Sequence, residues 1–267
     1  STKVLINHGL TPQEIFFYRF LIAYTGIWVI SPKRLFTGNW KDELWLVAGG
    51  IFGGSLYFFT ENTALGITQA SNVSFIICTA PLLTTILSLL FYKSEKASKG
   101  LIYGSLLALM GVGLIVFNGS FVLKISPIGD LLTLLAALSW AFYSLIIKKM
   151  AGRYPTVFIT RKIFFYGVLT ILPAFLLHPL QPDTAVLLQP GVLFNLLFLA
   201  VLASLICYVL WNVVLKQLGT VRASNYIYLN PLVTMIASSL ILDEKITLVA
   251  LGGAACIVCG VYWAEKK

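Results

Sequence analysis

The chain has 267 residues and a mass of 29.4 kDa; 58% of its residues are apolar or aromatic and only 11% are charged. A soluble domain carries roughly 25% charged residues, and a mean hydropathy of +0.90 leaves too little polar surface to face water. The composition therefore excludes soluble domains, disordered chains, coiled coils and disulfide scaffolds, and it predicts an all-α protein that lies in a bilayer.

Apolar runs of about 20 residues, bounded by charges or by Pro, Gly and Asn, predict nine membrane-spanning helices. In chain order they cover residues 14–30, 43–66, 69–92, 99–118, 128–151, 156–177, 190–217, 220–242 and 246–264. A tenth, truncated span is expected in residues 1–8. Because the polar connections between the spans are short, we expect the function to lie inside the helix bundle.

The net charge of +9 comes from 19 Lys and Arg against 10 Asp and Glu. A basic surface suits nucleic acid, but most of these basic side chains lie in alternate, short connections between the predicted spans. That distribution follows the positive-inside rule and predicts that these connections and the C-terminus are cytoplasmic. We therefore expect a lipid bilayer, and no nucleic acid, as the partner of this surface.

The sequence contains an internal repeat of about 150 residues. The glycines Gly104 and Gly111 return 149 positions later as Gly253 and Gly260, within a longer similar stretch. Further pairs of matching positions are Glu95 and Glu244, Lys96 and Lys245, Val112 and Val261, Pro81 and Pro231, Asn62 and Asn212, and Leu65 and Leu215. The pattern predicts two repeats, residues 1–126 and 127–267.

Each repeat would contain five spans. Because five is odd, the second repeat starts on the opposite side of the membrane and is inverted relative to the first. Inverted repeats are typical of transporters, which place a substrate site near the middle of the membrane between the two repeats. The alternative is a duplication that built only a stable bundle, as in some channels.

The first repeat is shorter at its start than the second. Pro12 matches Pro155, so Ser1 matches Ser144, and residues 128–143 have no counterpart in the first repeat. We therefore expect the natural chain to begin with further apolar residues that complete the first helix.

Ionisable side chains inside predicted spans are candidate functional residues, because burying a charge in a bilayer is costly. Lys3, Arg19 and Glu61 are expected at a similar depth, roughly 7 Å below the outer interface at 1.5 Å per residue. They form either a structural ion cluster with snorkelling side chains, or an outer gate that contacts a substrate carboxylate. Arg161 and Lys162, near the inner interface, are expected to snorkel towards water.

Two polar stretches, residues 61–72 and 211–228, join apolar spans with almost no loop and are followed by Pro81 and Pro231. Their amides either line a pocket or hydrogen-bond neighbouring helices. Nearby aromatic side chains either form a cavity for aromatic or cationic solutes, through stacking and cation–π contacts, or pack in the core. The candidate cavity and gate residues are Arg19, Glu61, Asn62, Asn72, Trp140, Tyr143, Trp211, Asn212, Asn225 and Tyr228.

The remaining motifs do not indicate a nucleotide-binding, metal, redox or catalytic site. The glycine-rich stretches predict close helix packing, since none has the Lys-Ser/Thr of a phosphate-binding loop. Cys256 and Cys259 form a C-x-x-C in an apolar run, and His8 and His178 are the only histidines, so we expect no metal or redox site. No Ser-His-Asp or paired-carboxylate pattern is present, and we expect no enzyme and no cofactor.

The repeated helix ends, residues 81–95 and 231–244, each followed by its pair of glycines, resemble the EamA family of the drug/metabolite transporter superfamily. The resemblance covers essentially the whole chain. Residues 57–65, with 224–231, are similar to the YddG-like aromatic amino acid exporters of that family. The family's first-helix Trp motif is found only in the second repeat, as Ser139-Trp140, which agrees with a truncated first helix.

The resemblance implies ten transmembrane helices in two inverted five-helix repeats, in a bacterial inner membrane with both termini cytoplasmic. It implies a central cavity, with residues 99–118 and 246–264 packed peripherally, in a monomer or weak homodimer. We expect export of amino acids or similar small metabolites by alternating access. The alternatives are a carrier of sugars, nucleotide-sugars or quaternary amines from the same superfamily, a channel, and a lipid flippase.

Overall fold

The computed structural model describes residues 1–32, 35–92, 98–117, 126–177, 179–180, 184–242 and 246–265, and the regular elements within these ranges are all helical. Five of the residues used above, Glu95, Lys96, His178, Glu244 and Lys245, lie outside the described residues. The α-helices of the first half are α1 Thr2–Asn7, α2 Pro12–Ile30, α3 Trp40–Gly50, α4 Leu56–Ile67, α5 Ala70–Ile77, α6 Ala80–Phe91 and α7 Lys99–Phe117.

The second half continues with nine α-helices. They are α8 Pro127–Ala151, α9 Thr156–Ile171, α10 Ala174–Leu177, α11 Thr184–Leu187, α12 Pro190–Leu197, α13 Cys207–Leu218, α14 Thr220–Asn225, α15 Asn230–Leu242 and α16 Leu248–Glu265. Two π-helical segments, Ile51–Ser55 and Phe198–Ile206, join α3 to α4 and α12 to α13, and the 3₁₀ turn Tyr226–Leu229 joins α14 to α15.

Helices lie at all nine predicted spans, and the short helix α1 lies in residues 1–8. Six helical stretches of the described residues are long and apolar enough to cross a membrane. They are Ala70–Phe91, Lys99–Phe117, Pro127–Ala151, Thr156–Leu176, Pro190–Leu218 and Leu248–Glu265. The chain is therefore a helical protein with several membrane spans.

The helix boundaries follow local chemistry. α2 begins with a capping box, in which the Thr11 side chain accepts from the Glu14 amide and the Glu14 carboxylate accepts from the Thr11 amide, with Pro12 in the first turn. The helices are also interrupted near the two prolines that follow the polar stretches. The helix breaks at Cys78 and Thr79, just before Pro81, and the 3₁₀ turn precedes Pro231.

The contacts divide the chain into two compact units, and each takes segments from both halves of the sequence. Unit 1 comprises Ser1–Gly66 and Phe142–Gln217, and unit 2 comprises Ile67–Ala141 and Leu218–Lys267. In unit 1, α2 packs against α9 and the second π segment, while α3 and the first π segment also pack against α9. A separate apolar cluster joins α1 and the start of α2 to α12; its buried members are Leu5, Leu10, Ile15, Val192, Leu196 and Leu199.

Unit 2 is built around the crossing of α7 and α16. A Cβ on Gly104 would lie 2.5 Å from the Gly260 carbonyl oxygen, and one on Gly111 would lie 2.5 Å from the Gly253 carbonyl oxygen. The helices are therefore antiparallel, and only glycine allows their backbones to approach this closely. The close packing predicted from the glycine pattern is confirmed.

Candidate functional site

Arg19 lies in the interior of unit 1, two turns into α2. Its side chain is buried, its Nε donates to the Ser204 hydroxyl at 2.9 Å, and its Cζ lies 4.2 Å from the centroid of the Phe58 ring. Within the described part of the chain, its two terminal nitrogens have no hydrogen-bond partner. A buried guanidinium with donors to spare is an anion-binding group, because these donors match the two oxygens of a carboxylate.

Glu61 is the carboxylate coupled to Arg19. It interacts electrostatically with Arg19 beyond ion-pair distance, and its Oε1 accepts from the Tyr57 hydroxyl at 3.1 Å. Lys3 is exposed and makes no ion pair within the described residues, so the structure does not form the three-residue ion cluster. The positive charge of Arg19 is therefore offset by the Glu61 carboxylate, which lies nearby but does not form an ion pair with it.

An aromatic cluster surrounds Arg19. Phe20 contacts Phe58, Phe164 and Tyr208, with centroid separations of 5.5, 4.9 and 5.7 Å. Tyr208 also lies 5.9 Å from Tyr143, another of the predicted site residues. Unit 1 therefore combines a buried cation with aromatic side chains, and this pair of features suits an organic carboxylate that carries an apolar group.

Asn62 and Asn212, matching residues of the two repeats, both hold helices together. Asn62 donates to the Pro12 carbonyl oxygen at 3.3 Å, at the start of α2. Asn212 donates to the Thr160 hydroxyl of α9 at 2.9 Å and accepts from the Tyr143 hydroxyl at 2.7 Å. These amides were expected either to line a pocket or to bond neighbouring helices. In the structure, both make hydrogen bonds to other helices.

The two π-helical segments occupy matching positions, since residues 51–55 of the first repeat correspond to 201–205 of the second. A π segment disturbs the regular backbone hydrogen bonds and is frequent at functional sites. In the first segment the Gly53 carbonyl oxygen accepts from the buried Tyr208 hydroxyl, and the Ser55 hydroxyl lies 2.8 Å from that of Thr170. The second segment supplies Ser204, the partner of Arg19.

A second polar cluster lies where α3 meets α9. Lys162 forms an ion pair with Glu43, and Tyr166 donates to the same carboxylate. Lys162 also donates to the Leu35 carbonyl oxygen at 2.9 Å, and the buried Arg161 donates to that of Ser31. Lys162 is 3% exposed and Arg161 2%, so the prediction that they snorkel was wrong: partners inside the protein replace water.

Beside this cluster, Arg153 pairs with Asp42 at 2.6 Å, and the Tyr154 hydroxyl donates to the same carboxylate at 2.9 Å. Burial and the neighbouring carboxylate raise the pKa of the Tyr154 phenol above its usual value. A cavity of about 270 Å³ opens at this end of unit 1, lined by Ser31, Phe36, Thr37, Tyr154, Pro155, Val157 and Phe158.

The remaining predicted residues lie in different places. Asn72 and Asn225 are buried in unit 2, in α5 and at the end of α14. Tyr228 lies in the 3₁₀ turn of unit 2, and Trp140 is partly buried in α8 of the same unit. Trp211 is partly buried in α13 of unit 1. The Asn225 side chain is fully buried, and its amide has no hydrogen-bond partner within the described residues.

Comparison with known proteins identifies the family. A model described as the EamA-like transporter family matches residues 2–117 and 127–264. The chain belongs to this family. The EamA-like assignment agrees with the resemblance seen in the sequence, and it makes the chain a membrane transporter by family.

Several relatives match this chain along most of their own length. The chain is 29% identical over 262 residues to an uncharacterized transporter of Archaeoglobus fulgidus, covering 97% of this chain and 89% of the relative. Two proteins named as probable amino-acid metabolite efflux pumps are 24% identical (Escherichia coli) and 27% identical (Salmonella typhimurium); each match covers 96% of this chain and 86% of the relative. A solved crystal structure matches with a TM-score of 0.76 at 18% identity, covering 98% of this chain and 91% of that one, and it shows the fold alone.

Sequence reasoning missed three side chains of the Arg19 site in this EamA-like chain. Phe58, Ser204 and Tyr208 lie in apolar runs and resemble ordinary core residues there. Ser204 carried one available signal, because a hydroxyl in the middle of a predicted span needs a hydrogen-bond partner. Its partner is 185 residues away, and the sequence does not indicate it.

Proposed function

We propose that the chain exports amino acids or similar small organic acids by alternating access, and that Arg19 binds the substrate carboxylate. The observation that carries this proposal is a buried guanidinium with unused donors next to aromatic rings. The Arg19 donors match the carboxylate, and Phe58 and Tyr208 suit an apolar or aromatic side chain of the substrate. The names of the Escherichia coli and Salmonella relatives support the same substrate class.

The proposal includes ten transmembrane helices in two inverted repeats, residues 1–126 and 127–267. The antiparallel crossing of α7 and α16 supports this, because matching helices related by inversion run in opposite directions. The contacts also have the symmetry of such a repeat: Gly104 meets Gly260, and its match Gly253 meets Gly111. In this arrangement the basic connections and the C-terminus face the cytoplasm of a bacterial inner membrane.

Within this site Glu61 offsets the charge of Arg19 when no substrate is bound. A substrate carboxylate then takes over that role by direct hydrogen bonds to the guanidinium. Asn225, Asn72, Trp140, Tyr143, Trp211 and Tyr228 are proposed to line the pathway or support its walls, with Asn62 and Asn212 holding the helices that carry them.

Competition for uptake into proteoliposomes tests the substrate class. The purified protein is assayed with a labelled amino acid, and each competitor is tested both as the free acid and as its carboxamide. We expect the free acids of phenylalanine, tyrosine and leucine to compete and their amides to be at least 10-fold weaker. Equal competition by acids and amides, or competition by sugars and quaternary amines alone, would overturn the assignment.

A further inference from the structure

Arg19 and Glu61 lie close together where α2 contacts α4 in unit 1. At one end of this contact, the Asn62 side chain donates to the Pro12 carbonyl oxygen at 3.3 Å. At the other end, the Arg19 Cζ atom lies 4.2 Å from the centroid of the Phe58 ring. Glu61 is three residues after Phe58 on α4, so the two side chains are neighbours on one surface of that helix. The Glu61 carboxylate therefore lies on the side of α4 that faces the Arg19 guanidinium.

Both charged groups keep part of their hydrogen-bonding capacity. The Arg19 Nε donates to Ser204, and its terminal nitrogens have no partner among the described residues. One oxygen of Glu61 accepts from the Tyr57 hydroxyl at 3.1 Å, and no described residue donates to the other oxygen. Arg19 and Glu61 form no ion pair with each other in the described part of the chain. The site therefore offers unused donors on one side and an unused acceptor on the other.

The second repeat provides an internal comparison for this pair. The shifts that relate the repeats, 143 residues at the start and 150 further on, match Lys162 to Arg19 and Trp211 to Glu61. Lys162 forms a direct ion pair with Glu43, so its charge is neutralised inside the protein. Opposite charges attract most strongly in direct contact, and a pair with only a structural role is expected to form one. The separation of Arg19 from Glu61 instead favours a ligand that contacts both.

Two separated opposite charges match the two charged groups of an α-amino acid. Its carboxylate and its ammonium group are bonded to the same carbon, so one small ligand presents both within a short, fixed distance. The guanidinium binds a carboxylate through two parallel hydrogen bonds, and a carboxylate accepts from an ammonium group at about 2.7–2.9 Å. The aromatic cluster around Arg19 remains available for the side chain of the same ligand.

Charge balance favours the same ligand. Arg19 and Glu61 together carry no net charge, and neither does a zwitterion. A carboxylate ligand without an ammonium group would place two negative groups beside one guanidinium, and an amine without a carboxylate would leave the Arg19 donors unused. An uncompensated charge inside a membrane protein is costly, so the site selects ligands that carry both groups.

We propose that Glu61 is a specificity-determining residue that binds the ammonium group of the substrate, while Arg19 binds its carboxylate. The transported ligand is then a zwitterionic α-amino acid, and organic acids of the same shape without the ammonium group are rejected. The Tyr57 hydroxyl holds one Glu61 oxygen and so orients this carboxylate. The inference rests on the proposed function, since it assigns the second charged group of the same substrate.

Competition by ammonium-free acids tests this role in the parent chain. The probes are phenylalanine, N-acetylphenylalanine and 3-phenylpropionate; the last two keep the ring and the carboxylate but have no ammonium group. Each competes with labelled phenylalanine for uptake into proteoliposomes, and leucine, N-acetylleucine and 4-methylpentanoate form a second series against labelled leucine. In both series we expect the ammonium-free acids to be at least 10-fold weaker than the amino acid.

Glu61→Gln should remove this preference. We expect the variant to bind phenylalanine at least 10-fold more weakly than the parent and to bind 3-phenylpropionate within threefold of the parent. Affinities are measured by the ligand-induced rise in the unfolding midpoint in detergent, which does not require flux. Glu14→Gln is the matched control, because a glutamine can also complete the capping box at the start of α2, and it should keep the full preference.

The outcomes separate this role from the proposed function. If the parent chain takes up no amino acid, the proposed function fails. If the parent takes up amino acids and the ammonium-free acids compete equally well, the function stands and the role of Glu61 is overturned; this comparison needs no variant to fold. Equal weakening of phenylalanine and 3-phenylpropionate in Glu61→Gln also overturns the role, because a purely structural residue affects both ligands alike.

Discussion

The Cζ atom of Arg19 lies 4.2 Å from the centroid of the Phe58 ring, so the guanidinium is in cation–π contact with one wall of the aromatic cluster. Its Nε donates to Ser204 on the second π segment, and this fixes the orientation of the side chain. The terminal nitrogens have no hydrogen-bond partner among the described residues and are left for another acceptor.

Substitution of Arg19 tests whether these nitrogens bind the substrate. We expect Arg19→Gln to raise the KM for a carboxylate substrate roughly 10- to 100-fold, the loss typical of a hydrogen bond to a charged group. The KM for the corresponding carboxamide should change by less than threefold, and uptake kinetics with both substrates measure the difference. Arg222→Gln, which removes an exposed arginine, is the matched control and should leave both constants unchanged. An equal loss with both substrates would indicate a structural role for Arg19.

Glu61 is expected to control the pH response of transport. It is the acidic residue coupled to Arg19 among the described residues, so its protonation changes the charge available to the substrate. We expect Glu61→Gln to flatten the dependence of flux on pH between 5 and 8, measured with the same pH on both faces of the vesicle. Glu14→Gln, at the start of α2, is the control. A pH profile that is unchanged in Glu61→Gln removes this role.

Tyr208→Phe tests the hydrogen bond to the first π segment. The Gly53 carbonyl oxygen loses its buried donor, which costs about 1–3 kcal/mol. We expect the midpoint of thermal unfolding in detergent to fall by a few degrees. Tyr226→Phe is the control, because Tyr226 is exposed and its hydroxyl has no hydrogen-bond partner in the part of the chain that the structure describes. Equal midpoints for the two variants would show that the Gly53 carbonyl is satisfied without Tyr208.

Gly104→Ala tests the crossing of α7 and α16. The added methyl would lie 2.5 Å from the Gly260 carbonyl oxygen and from the Ala264 amide nitrogen, so the helices must separate. We expect a loss of about 1–3 kcal/mol in the free energy of unfolding, typical of overpacking. Gly252→Ala, on the same helix pair but with no atom within 4 Å of the new Cβ, should be neutral or slightly stabilising. If the two variants are equally stable, the crossing tolerates wider spacing than the structure indicates.

Lys162→Met leaves the Glu43 carboxylate without its ion-pair partner. Removing one member of a fully buried pair costs about 3–5 kcal/mol. Because Glu43 is partly exposed and keeps the hydrogen bond from Tyr166, we expect a smaller but clear drop in thermal stability. Lys41→Met, at an exposed position of α3, should have little effect. The double variant Glu43→Gln/Lys162→Met should recover part of the loss. Additive losses in the double variant would mean that the two residues are not coupled.

The sequence predicted the positions of the helices well, because a membrane span must be apolar over a fixed length and its ends are marked by charges, Pro and Gly. It also predicted the close packing at Gly104 and Gly260. These features depend on local sequence or on the repeat.

Pairings between distant residues were harder to predict. Lys162 was expected to snorkel because the sequence does not indicate its partner. That partner, Glu43, lies in the first turn of α3, 119 positions away. Ser204 looked like a core residue because its role depends on how α2 packs against the second π segment. Tertiary contacts determine which polar side chains are buried and which partners they bind. Hydropathy and residue spacing do not predict these contacts.

Counterflow in proteoliposomes tests the central claim most directly. Vesicles are loaded with a high concentration of an unlabelled amino acid, such as phenylalanine, and diluted into a trace of the same labelled compound. A carrier that alternates between two states should accumulate the label transiently above equilibrium, and Arg19→Gln should slow this accumulation roughly 10-fold or more. Label that only equilibrates, at a rate independent of the internal amino acid across the panel of free acids, would contradict the account.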